Sequence, residues 1–164
     1  MTVIVHVTSV HPWNDTRIFL KMARSLAASG FETHLVAIDR ASKSAQQFER
    51  DGVMVHLLRG DDIASRKDRA LIGASRVLNA LPALKPDLVH FHDPELIPHA
   101  LPRSGKFRFI YDAHENVPEL VHSREWLPRW LRPGLKLGLH GLEKMACSRF
   151  AAVIGATPSI AARF

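Results

Sequence analysis

Short β-branched runs alternate with longer stretches of helical periodicity from one end of this 164-residue chain to the other. Val3–Thr8 reads as a strand, and a helix follows over about Thr16–Ser29, where Phe19, Leu20, Ala23, Leu26 and Ala27 recur at the spacing of one helix face. Gly30 is placed to end that helix from the C′ position. Thr33–Ile38 and Val53–Leu58 are the next strands, separated by a polar loop through Ser42, Lys43 and Ser44. A long helical stretch from Asp62 to Leu84 leads through Pro86-Asp87 into a fourth strand, Leu88–His92. A short segment, Leu96–Leu101, separates it from a fifth strand at Phe107–Tyr111. A helical region over Pro118–Ser148, interrupted at Pro128 and Pro133, precedes a sixth strand at Ala151–Gly155. Such repetition builds parallel βαβ units with right-handed crossovers and helices on both faces. The expected fold is therefore α/β: a Rossmann-like, doubly wound, mainly parallel sheet of six or seven strands.

Composition narrows the function. With 46% hydrophobic and 23% charged residues the chain has the balance of a globular domain, and its length suits one domain. One cysteine, Cys147, excludes an internal disulfide framework. No apolar run reaches the roughly 18 residues of a membrane span, and the amino terminus lacks the basic segment of a secretory signal. The net charge of +6 is spread evenly over both halves, without a basic arm or a nucleic-acid-binding module, so no nucleic-acid partner is expected. Ten histidines are the compositional oddity. Thr157 and Pro158 suit the N-cap and N1 positions of a helix, yet only Ser159–Phe164 follow them. The expectation is a chain that is the first half of something larger.

In an open parallel sheet, ligands bind beyond the carboxyl ends of the strands, where the strand order reverses. For the order 3-2-1-4-5-6 this crevice lies between the first and fourth strands, and the loops after Thr8, His92 and Tyr111 all meet there. All three are polar. The first, Ser9–Arg17, holds His11, Trp13, Asn14, Asp15 and Arg17; Asn14 or Asp15 can cap the following helix and leave its other N-terminal amides free. Neither G-x-G-x-x-G nor G-x-x-x-x-G-K-[ST] is present, which removes the usual signals for dinucleotide and P-loop binding. The second loop carries His92, Asp93 and Glu95. Strand alternation puts His90 and His92 on one side of the sheet, but a bare pair falls short of the three or four ligands that a metal needs. No metal is expected, and His90 reads as a core histidine bonded to backbone. The third loop offers Asp112, His114 and Glu115, whose imidazole and carboxylates can hydrogen-bond sugar hydroxyls. Capped loops with solvated charges are the plain alternative for each of these residues taken singly.

A basic segment over residues 124–149 sets Arg124, Arg129, Arg132, Lys136, Lys144 and Arg149 among Trp126, Leu127, Trp130 and Leu131. The mixture suits peripheral contact with anionic lipid. Leu135, Leu139 and Leu142 instead read as a stripe packed on the sheet, with the cations snorkelling to solvent.

The segments His11–Phe19, Asp87–Glu95 and Tyr111–Asn116, in this order, resemble the amino-terminal domain of family 4 glycosyltransferases, and the resemblance extends over essentially all 164 residues. It implies a retaining enzyme of two Rossmann-like domains, the GT-B fold, with this chain (residues 1–164) as the acceptor-side half. The carboxy-terminal donor domain lies outside the sequence. Carried over by position, the resemblance makes His92 and Asp15 catalytic. Substrate contacts fall to His11, Trp13, Asn14, Arg17, Asp93, Glu95, His114, Glu115 and Asn116. The glycine pair common in the first loop of that family is missing between His11 and Asp15.

The function so implied is transfer of a sugar from a nucleotide-sugar donor to a saccharide or lipid-linked acceptor in cell-envelope polysaccharide synthesis. It would take place in the cytoplasm or at the inner face of the membrane. No cofactor is expected, since the nucleotide sugar is a substrate bound mainly by the other domain. Two alternatives stay open: half of a nucleotide-sugar epimerase, and a non-catalytic Rossmann-like domain that binds a sugar or an anion.

Overall fold

The computed structural model describes residues 1–114 and 128–164. Its strands are β1 (Val3–Thr8), β2 (Glu32–Asp39), β3 (Gln46–Arg50), β4 (Val53–Arg59), β5 (Leu88–Phe91), β6 (Phe109–Ala113) and β7 (Ala152–Gly155). They form one sheet in the order β3-β4-β2-β1-β5-β6-β7. Every pairing is parallel except that of β3 with β4. The doubly wound, mainly parallel sheet is thus the expected one, with its reversal of strand order between β1 and β5.

Strand β3 replaces part of the expected polar loop. Its residues are too polar to read as a half-buried strand, Phe48 alone packing on the core. The legible signal was Asp51-Gly52, which takes positive φ at both positions (52° and 76°) in the tight hairpin turn before β4. Strand β6 begins two residues later than expected because the amides of Lys106 and Phe107 both turn back onto the Arg103 carbonyl. At its other end β6 runs on through Asp112 and Ala113, which pair with Ile154 and Gly155 of β7.

Helix α1 comprises Thr16–Ala23 and continues through Arg24–Ala28. The Asp15 carboxylate caps it, accepting from the amides of Arg17 (2.8 Å) and Ile18 (2.9 Å). Its first turns are wide, with the Leu20 amide donating to the Asp15 carbonyl five residues back and Arg24 to Phe19. That winding changes which residues face inward: Ile18, Phe19 and Ala23 are buried, whereas Leu20, expected on the packed face, points to solvent. Helix α2 runs through Arg66–Asp68, Arg69–Gly73 and Ala74–Asn79, started by a capping box between Ser65 and Asp68.

The two cores lie on opposite faces of the sheet. On one face Val5, Val7, Val89, Phe91, Phe109 and Tyr111 meet Ala74, Val77 and Leu78 of α2. On the other, α1 covers β2 and β4 through Ile18, Phe19 and Ala23 against Leu35, Ala37, Val53 and Val55. Side chains alternate along a strand, so the same second face of β1, β5 and β6 carries His6, His90 and Asp112 beside this apolar patch.

Helix α3 spans Arg132–Arg149. Pro133 lies in its first turn, where a missing amide hydrogen costs nothing, so it opens the helix rather than interrupting it. Glu143 and Ala146 are buried and Leu142 packs on the core, while Leu135 of the expected stripe stands 43% exposed. A short helix α4, Pro158–Ala161, follows β7 with Thr157 as its N-cap, as read from the sequence.

Candidate functional site

The loops at the carboxyl ends of β1, β5 and β6 converge, and one buried carboxylate organises them. Asp93 Oδ2 accepts hydrogen bonds from the Thr8 hydroxyl (2.8 Å) and the Ser9 amide (2.6 Å), tying the β5 loop to the β1 loop. Glu95 continues the tie, accepting from the Ser9 hydroxyl at 2.8 Å and pairing with Arg69 of α2 at 2.9 Å. Both carboxylates are therefore engaged in shaping the loop.

Above this clamp stands His11. Its ring nitrogens lie 3.6 Å from Asp15 Oδ2 and 3.5 Å from Asp93 Oδ1, and its ring meets that of His114 edge-on at 5.7 Å between centroids. Asp15 and His114, read from loops nearly 100 residues apart, are thus joined through one imidazole at a single rim. The exposed Asn14 belongs to the same loop. Trp13 does not join the rim; it packs edge-on against Phe19 and Phe48 at 5.2 and 5.1 Å, closing the core under α1. Glu115 and Asn116 lie outside the described residues.

Beneath the rim runs a buried polar chain that the sequence reading largely missed. Arg17, at the start of α1, donates from Nε (3.0 Å) and from a terminal nitrogen (2.5 Å) to the two oxygens of Asp112. Such a fork fixes the guanidinium in place. Asp112 is in turn 3.1 Å from His92 Nδ1, and His92 Nε2 is 3.1 Å from His6 Nδ1. Burial works to raise the Asp112 carboxyl, but the hydrogen bonds from His92 and Arg17 outweigh it and hold it down at about 2. As a carboxylate, Asp112 can only accept, so His92 carries a proton on Nδ1, and its Nε2 is joined to His6 Nδ1.

The sequence placed His92 against a ligand; its ring is instead fully buried under the rim, bonded at both nitrogens. His90 also departs from expectation. Rather than bonding to backbone, it packs its ring 5.0 Å from His6 and 4.7 Å from His92, and its Nε2 finds no hydrogen-bond partner among the described residues. Burial and the neighbouring imidazoles lower the His90 ring to about 4 and that of His6 well below its usual value. His6 was missed because one histidine in an apolar strand reads as an isolated anomaly. The signal lay in register, since His6 pairs with His90 across the β1–β5 ladder. Among the described residues, His6, His90 and His92 are the group whose nitrogens are close enough to share a metal ion.

The sequence matches the family of glycosyl transferase 4-like domains over residues 16–164. No curated protein matches it. Among solved structures, one described as trehalose-6-phosphate from E. coli bound with UDP-2-fluoro glucose superposes over 99% of this chain and 41% of its own (TM-score 0.62, 11% identity). Sucrose-phosphate synthase from Thermosynechococcus elongatus follows over 94% of this chain and 47% of its own (TM-score 0.57, 11% identity). An α,α-trehalose-phosphate synthase (UDP-forming) from Burkholderia vietnamiensis covers 99% and 41% (TM-score 0.60, 14% identity). The chain therefore spans less than half the length of each of these proteins.

Proposed function

The chain belongs to the glycosyl transferase 4-like domain family, and on that premise we propose that it is the acceptor-side half of a retaining GT-B glycosyltransferase. In this reading the complete protein moves a sugar from a nucleotide-sugar donor, held mainly by a second domain, to a saccharide or lipid-linked acceptor of cell-envelope polysaccharide synthesis. The observation that carries it is the rim where His11 lies between Asp15, Asp93 and His114, at the reversal of strand order. Imidazoles and a carboxylate at such an edge can hold sugar hydroxyls and accept the proton that the attacking hydroxyl gives up. Arg17, held by Asp112, supplies fixed positive charge beside the α1 amino terminus, where a leaving diphosphate gains most from it.

Within this scheme Asp15 and His11 touch substrate, and His92 is a positioning residue that orients Asp112 and through it Arg17. Trp13, Asp93 and Glu95 shape the loop. Glu115 and Asn116 keep their place in the proposal by resemblance alone.

Titration of the 164-residue chain separates this reading from its rivals. Glycosides or sugar phosphates are expected to shift the His11 and His114 resonances, while nucleotide sugars bind weakly. Tight nucleotide-sugar binding by this chain alone overturns the assignment of the halves.

The same reading includes peripheral contact with anionic membrane through the start of α3. Trp130 (78%) and Leu137 (74%) are strongly exposed there, with Leu131 and Leu135 beside them, among Arg129, Arg132 and Lys136. Residues 124–127 of this basic segment lie outside the described residues. No described helix is long and apolar enough to cross a membrane.

A further inference from the structure

We infer that His6, His90 and His92 form a three-histidine binding site for a late first-row divalent cation, with zinc as its reference occupant. The inference is independent of the glycosyl-transfer reading.

One nitrogen from each of the three rings lies within 4.8 Å of the others, and all three residues are buried. Ligands of a tetrahedral zinc ion with bonds of ~2.0 Å stand roughly 3.3 Å apart, so adjustments of about 1 Å in ring position close the cluster. Strand register makes this convergence a property of the sheet: His6 and His90 are directly paired on β1 and β5, and His92 follows two residues on, on the same face.

Two buried nitrogens, His6 Nε2 and His90 Nε2, have no hydrogen-bond partner among the described residues. Leaving such atoms unpaired is costly in a folded protein, and a bound ion is one of the few arrangements that satisfies several at once.

The surroundings supply what a histidine ligand needs behind it. His92 turns Nδ1 toward Asp112, which leaves Nε2 as the ligating atom once the ion replaces its bond to His6 Nδ1, and Asp112 is itself clamped by Arg17. A carboxylate backing the distal N–H of a ligating histidine is the usual second layer of such sites. A route to solvent exists as well. His90 lines a groove of about 350 Å³ walled by Ile4, Met22, Leu26, Leu88 and Ile110, and a water there can complete a fourth position. Imidazole nitrogen suits zinc, nickel and copper rather than magnesium or calcium, which prefer oxygen.

The test is calorimetric titration of the chelator-treated 164-residue chain with zinc chloride, paired with cobalt(II) absorption spectroscopy. We expect one ion per chain and the intense ligand-field bands of tetrahedral cobalt. H90Q is expected to weaken zinc binding at least tenfold, and H6Q likewise. D112N, which alters the carboxylate behind His92, weakens it about 10–100-fold. The double variant H34Q/H56Q, at the other close histidine pair (2.9 Å), leaves it unchanged. Circular dichroism of each variant establishes that it folds; should H6Q fail, H90Q at the groove wall decides. Absence of saturable micromolar binding, octahedral cobalt spectra, or affinity retained in folded H90Q each overturns the site.

Discussion

At the scale of single residues the rim is built by side chains that serve two ends, and suitable variants separate them. Asp15 both caps α1 and faces His11. Replacing it by alanine is expected to cost about 1 kcal/mol in denaturant unfolding, whereas D15N keeps the cap and the stability. If Asp15 acts on substrate, both variants lower turnover of the complete enzyme; unaltered turnover in D15N sinks that role. Asp93 is a stricter case, because its removal leaves Thr8, Ser9 and Val10 without their shared acceptor. D93A should destabilise the chain by about 2–4 kcal/mol, measured by urea unfolding. His11, Asp15, Arg17, Asp93 and His114 were all legible as a loop cluster from their places after predicted strands. Trp13, read from the sequence as a substrate contact, also packs against Phe48 of the unforeseen strand β3, a contact that loop sequence does not announce.

Among the elements, contact between backbone segments sets the tolerances. Gly155, ending β7, lies so close to α4 that an added Cβ would fall 2.5 Å from the Ala161 amide nitrogen. Because backbone cannot yield as a side-chain tip does, G155A is expected to cost roughly 1–3 kcal/mol and lower the melting temperature. G134A, with no described atom within 4 Å of its Cβ position, should not destabilise the chain and serves as the control. Helix α3 gives a second prediction. Its amino-terminal half buries little, and the helix is held mainly by Leu142, Ala146 and the Glu143–Arg163 pair near its other end. If the exposed turn meets anionic lipid, W130A reduces co-sedimentation with phosphatidylglycerol vesicles several-fold without altering the melting temperature. Equal sedimentation of both proteins would remove membrane contact from the proposed function.

For the whole molecule, the histidines beneath the rim couple folding to pH. His90 titrates at about 4 in the folded chain and His6 is lowered in the same direction, whereas an unfolded histidine titrates near 6.5. Below 6.5 the unfolded state therefore binds more protons, so the metal-free protein loses stability as pH falls from 6.5 toward 4, while Asp112, held at about 2, stays ionised throughout. A melting temperature that stays level or rises over that interval contradicts this. The alternation of β-branched runs with helical periods was enough to assign a parallel, doubly wound sheet and the edge where its loops gather, because strand and helix periods are local and crossover handedness follows from chain chirality. Local pattern could not reveal what depends on neighbours distant in sequence. The wide turns of α1 that turn Leu20 outward, the pairing of Asp112 in β6 with Ile154 of β7, and the β1–β5 register that sets His6 beside His90 all arise from packing. Side-chain burial and hydrogen-bond partnership are properties of the assembled sheet, so only the tertiary structure decided that His92 lies under the rim rather than on it.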